Sequence, residues 1–219
     1  MGFDWHFILE HSAEFGGALW VTLKVGVISI LCSALFGLGN ATAIYLRLPY
    51  FETVIKAYVE IARNTPLLIQ LFVIYFGFPQ LGWSPDGETS AYMAMIFLGT
   101  AYMTELFRGG YMALSNQQQE SALALGLSRW QTLWWVLWPQ LGRMTFPAWA
   151  ASAIFLLKET TVVSAVAVPE ILYTTTNYIA LYYKTYEMLA VMTGLYVLLF
   201  VPLSLTLRQL EGRLLHGWN

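Results

Sequence analysis

Residues 25–46 are twenty-two consecutive positions without a charged side chain, and residues 188–207 are a further twenty. About 20 apolar residues in a helix match the roughly 30 Å hydrocarbon core of a bilayer, and lipid tolerates no unpaired backbone, so such runs dictate α-helical spans. The rest of the chain agrees: 58% of its 219 residues are hydrophobic and 11% charged, against about 25% charged in a soluble domain. The expected fold class is all-α, a polytopic membrane protein. Gly26, Ser29, Ser33, Ala34, Gly37 and Gly39 in the first run permit close helix packing in lipid.

Several function classes drop out at once. A net charge of −2 provides no basic field for nucleic acid, so no nucleic-acid partner is expected. Cys32 is the only cysteine, which excludes a disulfide within the chain and makes a thiolate metal cluster implausible. No G-x-x-x-x-G-K-[ST] phosphate loop occurs, so the chain has no ATP site of that kind and no cofactor of its own is expected. A membrane-embedded enzyme is disfavoured too, because His6, His11 and His216 lie near the termini and no H-E-x-x-H or G-x-S-x-G occurs. The first ten residues carry acids where a signal peptide needs a basic stretch, so they are expected to be retained. Phe3, Trp5, Phe7 and Phe15 suit a short segment at the membrane interface.

Hydropathy predicts one transmembrane domain over residues 1–219 with five spans, at about 20–45, 54–78, 89–107, 144–168 and 188–207, and a polar loop at 109–143. Lys24 is expected to snorkel to the interface. Pro66 inside the second span predicts a kink and, with Arg63, a moving or cavity-lining position; alternatively Arg63 pairs with Glu60 one turn back. Glu105 is expected to pair with Arg108 at i+3 or with a neighbouring helix. Trp130, Trp134, Trp135 and Trp138 predict an interfacial helix ending at Pro139. Residues 169–187 are expected to form an outer loop rich in tyrosine.

Lys158 and Glu159 fall in the middle of the fourth span, fourteen uncharged residues after its start. Charges there are expensive and by default mark a site. Adjacent helical residues point about 100° apart, so the two cannot neutralise each other on a regular helix. Either each finds a partner, Glu105 or Arg63 on another span, or the helix unwinds there with Thr160, Thr161 and Ser164 serving the freed backbone.

The positive-inside rule sets the orientation. Arg47, Lys56, Arg108, Arg129, Arg143, Arg208 and Arg213 lie in the proposed inner segments, whereas Asp4, Glu10, Glu14, Asp86, Glu88, Glu170 and Glu187 gather on the outer ones. The amino end is expected outside and the carboxyl end in the cytoplasm.

The longest polar interruption, residues 116–130, then faces the cytoplasm. Ser115-Asn116 can cap a helix, Glu120 in its first turns suits the dipole, Gly126 offers a left-handed stop, and Ser128 can cap a second helix. Small side chains at Ser121, Ala122 and Ala124 would let a partner approach closely.

Glu120-Ser121-Ala122, then Gly126, then Trp138-Pro139 resemble the cytoplasmic EAA loop of bacterial ABC importer permeases. The run Arg63 to Gly77 is similar to the signature of the polar amino acid branch of that family, and Leu157-Lys158-Glu159-Thr160-Thr161-Val162-Val163-Ser164 is a third match. Glutamate follows the lysine where the family usually has aspartate, and Ser121 replaces an alanine.

The resemblance implies a type I ABC importer permease fold in the bacterial cytoplasmic (inner) membrane. It implies a second permease chain, two ATPase subunits that carry ATP and Mg, an extracytoplasmic solute-binding protein, and an amino acid substrate. Glu120, Ser121, Ala122, Gly126 and Leu127 would couple to the ATPase. Lys158, Glu159 and Thr161 would bind the substrate's charges, and Arg63 with Pro66 would form the gating kink. The competing reading is an ion-coupled carrier or channel, without an ATPase, using Glu159 and Glu105.

Overall fold

The computed structural model describes residues 3–114 and 116–216, and among them there is no strand. Ser115, half of the expected cap, lies outside the described residues.

The chain opens with α1 (Trp5–Glu10), whose first turn is capped by the Asp4 carboxylate accepting from Phe7 N. The interfacial segment expected from the aromatic residues is thus a short helix. It leads into α2 (Ser12–Tyr45), 34 residues long. The central helix is α5 (Gly87–Ala113), which Asp86 caps by accepting from Thr89 N at 2.8 Å. It packs along α2 so closely that a Cβ added at Gly37 would lie 2.8 Å from the backbone carbon of Met103. Without glycine there, the two axes would have to separate, so the small residues of the first apolar run set this approach.

Among the described residues, three helical stretches are long and apolar enough to cross a membrane, Ser12–Tyr45, Arg129–Val166 and Thr185–Leu214, or four if a bent pair counts as one span. The sequence predicts five. The difference includes α5, whose 27 residues span about 40 Å at 1.5 Å each. Its neighbours enclose much of that helix, so it tolerates Thr100 and Thr104 as buried residues and Glu105 toward its C-terminal end.

The expected second span, 54–78, is not one helix. It divides into α3 (Phe51–Arg63) and α4 (Leu67–Phe72), the latter continuing through a π turn (Val73–Gly77) and a 3-10 turn (Phe78–Leu81), with a bend of 105° between the halves. Proline excludes the α conformation from the residue before it, which turns the expected kink into a break. The carbonyls set free are taken up by side chains. Asn64 Nδ2 donates to Glu60 O at 2.8 Å, Thr65 Oγ1 to Ile61 O at 2.7 Å, and buried Gln70 donates to Ala62 O at 2.8 Å and Thr65 O at 3.0 Å. α3 meets α5 at Ala101 and α4 meets it nearer Ala91 and Met95.

Two further boundaries differ from expectation. The tryptophan-rich segment does not stop at Pro139. It runs from α7 (Arg129–Gln131) through a π turn (Thr132–Leu137) into α8 (Trp138–Glu159) as one rod. Pro139 falls in the first turn of α8, where its missing N–H costs little, and Gln140 Nε2 donates to the Val136 carbonyl at 2.8 Å. Residues 171–182 are not loop but α9 (Ile171–Tyr182), capped by Glu170, which accepts from Leu172 N at 2.9 Å and Tyr173 N at 2.6 Å. The last helix, α10 (Thr185–His216), buries Glu187 and Met188 and packs Leu199, Phe200 and Leu203 only partly against the core.

Candidate functional site

The polar interruption folds as α6 (Asn116–Ala124) followed by a glycine bend into α7. Gly126 takes φ 83°, Leu127 N donates to Ala122 O at 3.1 Å and Gly126 N to Leu123 O at 2.9 Å. This pair of reversed bonds is a Schellman end, which needs a left-handed residue. Ser128 then caps α7, accepting from Gln131 N at 3.3 Å while Gln131 Oε1 accepts from Ser128 N at 2.8 Å. The expected glycine stop and serine cap are both present. Glu120 is the fifth of the nine residues of this helix, in its second turn.

Of the predicted coupling residues, Glu120, Ser121 and Gly126 are exposed and Leu127 is half-buried. Ala122 is buried, so its small side chain serves the fit of α6 onto its own chain rather than direct contact with a partner. Leu125 is 84% exposed beside them.

Behind α6 a network of aromatic hydroxyls ties it into the bundle. Tyr45 donates its hydroxyl to Gln119 Oε1 and stacks on Tyr111 with centroids 4.5 Å apart. The Tyr111 hydroxyl lies 2.8 Å from Thr42 Oγ1 and accepts from Trp138 Nε1 at 2.7 Å. No motif marks these residues in the sequence, because tyrosine in a membrane helix reads equally as an interfacial anchor.

At the fourth region α8 ends at Glu159 and a 3-10 turn (Thr160–Val166) follows. The predicted unwinding is therefore there, and the predicted hydroxyls serve it. Thr160 Oγ1 donates to Leu157 O at 2.7 Å, Thr161 Oγ1 to Lys158 O at 3.0 Å, and Ser164 Oγ to Thr161 O at 2.7 Å. The alternative of an ion pair with Glu105 or Arg63 is not what forms. Among the described residues Lys158 makes no ion pair and sits 5.7 Å from the centre of the Phe200 ring, while the half-buried carboxylate of Glu159 has no partner. A charge left unpaired in such a place is available to a ligand.

Arg63 does not pair with Glu60. It reaches 3.9 Å from Glu105 Oε2 and lies 5.6 Å from the centre of the Tyr102 ring. Glu105 is held by Arg108 in two bonds, 2.9 Å from Nε and 2.6 Å from Nη2, as the i+3 spacing predicts. Arg63 and Pro66 thus stand at the 105° break, joined to α5 by a shared carboxylate. Lys24 pairs with Glu88 at 2.5 Å.

Sequence reasoning also missed Glu170, which is fully buried and accepts the Tyr196 hydroxyl at 3.1 Å in addition to its two backbone donors. It looked like an outer-loop acid because a cap is invisible until the helix it starts is recognised.

The arrangement can be set beside known proteins. A family model described as binding-protein-dependent transport system inner membrane component matches residues 29–216. The chain is 34% identical over 171 residues to the probable glutamine ABC transporter permease protein GlnP of Bacillus subtilis (strain 168), covering 76% of this chain and 78% of that one. It is 27% identical over 216 residues to the glutamine transport system permease protein GlnP of Escherichia coli (strain K12), covering 98% and 99%. Among solved structures, the crystal structure of an amino acid ABC transporter with histidines superposes with a TM-score of 0.87 at 27% identity, covering 97% of this chain and 100% of that one. An inward-facing form of the MetNI methionine ABC transporter gives 0.79 at 18% identity, covering 94% and 98%, a likeness of fold alone. The chain is an integral membrane protein with the type I ABC importer permease fold, and it belongs to the family of binding-protein-dependent transport system inner membrane components.

Proposed function

We propose that this chain is the transmembrane permease of an ATP-binding-cassette importer for polar amino acids. It would work with a second permease chain, two ATPase subunits that bind ATP and Mg, and an extracytoplasmic solute-binding protein. The observation that carries this reading is the exposed helix, glycine bend and capped helix of residues 116–131, backed by the Tyr45–Tyr111–Trp138 network. An element presented outward and fastened to three helices of the bundle can pass a partner's motion into the membrane as a rigid lever. Glu120, Ser121, Gly126 and Leu127 would meet the ATPase, with Ala122 fixing their support.

The five-span topology is kept under this proposal, with α3 plus α4 as one broken span and α5 as another. Arg47, Arg129 and Gln119 share one end of the molecule, and Asp4, Glu88 and Lys184 occupy the other. Positive-inside counting places the first end in the cytoplasm and the amino terminus outside, in the bacterial cytoplasmic membrane.

Lys158 and Glu159 would receive the carboxylate and the cationic group of the substrate, and Thr161 can accept a hydrogen bond through its remaining lone pair. Arg63 and Pro66 at the break would move as the pathway changes its facing. Amino-acid relatives support the substrate class.

Copurification of an ATPase subunit with the full chain, lost on Gly126→Pro while membrane insertion persists, tests the proposal. Solute movement by the chain alone under an imposed ion gradient would favour the carrier reading instead.

A further inference from the structure

Where the end of α2 meets the start of the α7–α8 rod, a cavity of about 440 Å³ opens, lined by Tyr45, Arg47, Gln119, Arg129 and Thr132 above a floor of leucines. Two guanidinium groups line it and no carboxylate does. Among the described residues neither Arg47 nor Arg129 forms an ion pair or donates a side-chain hydrogen bond. The acid near Arg47, Glu52, is occupied by Lys56 at 2.5 Å. Both arginines are exposed, so their guanidinium donors are free for an anion entering the cavity, whose phosphate oxygens they match in a fork. Arg47 also takes φ 51°, a left-handed conformation that non-glycine residues keep where surroundings over-determine it.

A second hollow of about 270 Å³ adjoins it across Leu46 and is almost wholly apolar, lined by Leu35, Leu38, Gly39, Trp130 and Trp138 among others. A Cβ at Gly39 would meet nothing within 4 Å, so the glycine leaves an open floor on a face where Leu35 and Phe36 are already exposed. Trp130, 61% exposed, lines this second hollow and follows Arg129, which lines the first. Tryptophan settles at headgroup depth. Phosphate-binding cations above and an acyl-sized apolar channel below, joined at that depth, match one amphiphile.

We propose that this paired hollow is a binding site for an anionic phospholipid of the leaflet on the α6 side, its phosphate between Arg47 and Arg129 and an acyl chain along Gly39. Basic pockets between membrane helices take anionic headgroups in this way. The proposal goes beyond the transport reading and does not depend on it. The lipid would wedge against Gln119 and Tyr45, the point where α6 joins the bundle.

Native mass spectrometry of the purified complex, equilibrated in micelles holding equal phosphatidylglycerol and phosphatidylcholine, tests the proposal. The natural chain is expected to retain phosphatidylglycerol in preference. The Arg47→Gln/Arg129→Gln variant should lose that preference by about twenty-five-fold, the product of a roughly fivefold attraction for each basic side chain beside an anionic surface. Gly39→Leu, whose Cβ would meet nothing within 4 Å, should fill the channel and displace the lipid with its arginines intact and its melting temperature unchanged. Millimolar inorganic phosphate should not compete. Equal retention in the double variant, or in Gly39→Leu, overturns the site, and full displacement by inorganic phosphate makes it a free-anion site instead. Loss of the ATPase subunit from the double variant with lipid retention unchanged would assign the arginines to a protein contact and also overturn the proposal.

Discussion

Trp138 donates its indole N–H to the hydroxyl of buried Tyr111 at 2.7 Å, joining the start of α8 to the C-terminal end of α5. The same hydroxyl is shared with Thr42 of α2, and the Tyr111 ring stacks on Tyr45, which binds Gln119 of α6. Four helices therefore meet at one oxygen and the rings beside it.

Removing that oxygen should be costly. Tyr111→Phe leaves the Trp138 indole N–H without its partner, while Thr42 keeps its bond to Leu38 O at 2.7 Å; a buried unsatisfied group costs about 1–3 kcal/mol. A lowered melting temperature in detergent is expected, together with ATP hydrolysis that no longer scales with uptake. A Phe variant with unchanged stability and unchanged coupling would show that the network merely fills space.

Gly126 lies at φ 83°, a conformation that costs a side-chain-bearing residue about 1–2 kcal/mol. Gly126→Ala should therefore loosen the Schellman end. Uptake per ATP hydrolysed in the reconstituted complex is expected to fall, while Leu127→Ala, which keeps the backbone, should do less. Equal effects of the two would place the requirement in side-chain contact and not in the bend.

Glu159 has no partner among the described residues, and Glu159→Gln keeps its shape while removing its charge. Uptake of cationic amino acids should suffer more than uptake of neutral ones, measured by competition against a single labelled substrate. Equal loss for both classes would remove the selective role.

At the amino end Lys184 Nζ donates to Asp4 Oδ2 at 2.8 Å, and Asp4 N donates to Glu187 Oε1 at 3.0 Å. The lysine bond lowers the Asp4 carboxyl below its ordinary range, with the Phe7 N–H helping, and the Asp4 bond raises the Lys184 ammonium above its own. A depressed carboxyl stabilises above its unfolded value and loses that stabilisation as pH falls through the folded one. A raised ammonium stabilises below its unfolded value and loses it as pH rises through the folded one. The tie should thus hold across neutral pH and release at both extremes. Protease nicking between α1 and α2 should be pH-independent from neutral until the acid limb, and Asp4→Asn should abolish that dependence.

Close packing yields a further check. A Cβ at Gly37 would come within 2.8 Å of the Met103 backbone, which cannot rotate away. Gly37→Ala should cost about 1–3 kcal/mol of stability, the range for overpacking a filled core. Gly39→Ala, two residues on and facing open space, should be neutral in the same melt.

What the sequence made legible follows from which signals are local. The helical class came from the uncharged runs, because lipid forbids unpaired backbone. Gly126 and Ser128 were readable because a left-handed stop and a cap each depend on a few neighbouring residues. The same is true of the unwinding at Glu159, where adjacent charges and hydroxyls sit side by side in the chain. The break at Pro66 was foreseen as a kink, but its size depends on Gln70, which reaches back to Ala62 across the bend. The continuity of the rod past Pro139 was hidden, since a widened turn before a proline leaves no composition signature. Pairing was the least legible. Lys24 with Glu88 and Arg63 with Glu105 join distant segments, and i, i+3 or i, i+4 rules cannot find them.

The central claim is that the chain is driven from outside itself through residues 116–131. Its most direct test is uptake of labelled amino acids into proteoliposomes holding the permease, an ATPase pair and the solute-binding protein. The account predicts uptake that requires ATP and is abolished by Glu120→Lys without loss of the assembled complex. Uptake that continues without nucleotide, or that survives Glu120→Lys undiminished, would contradict it.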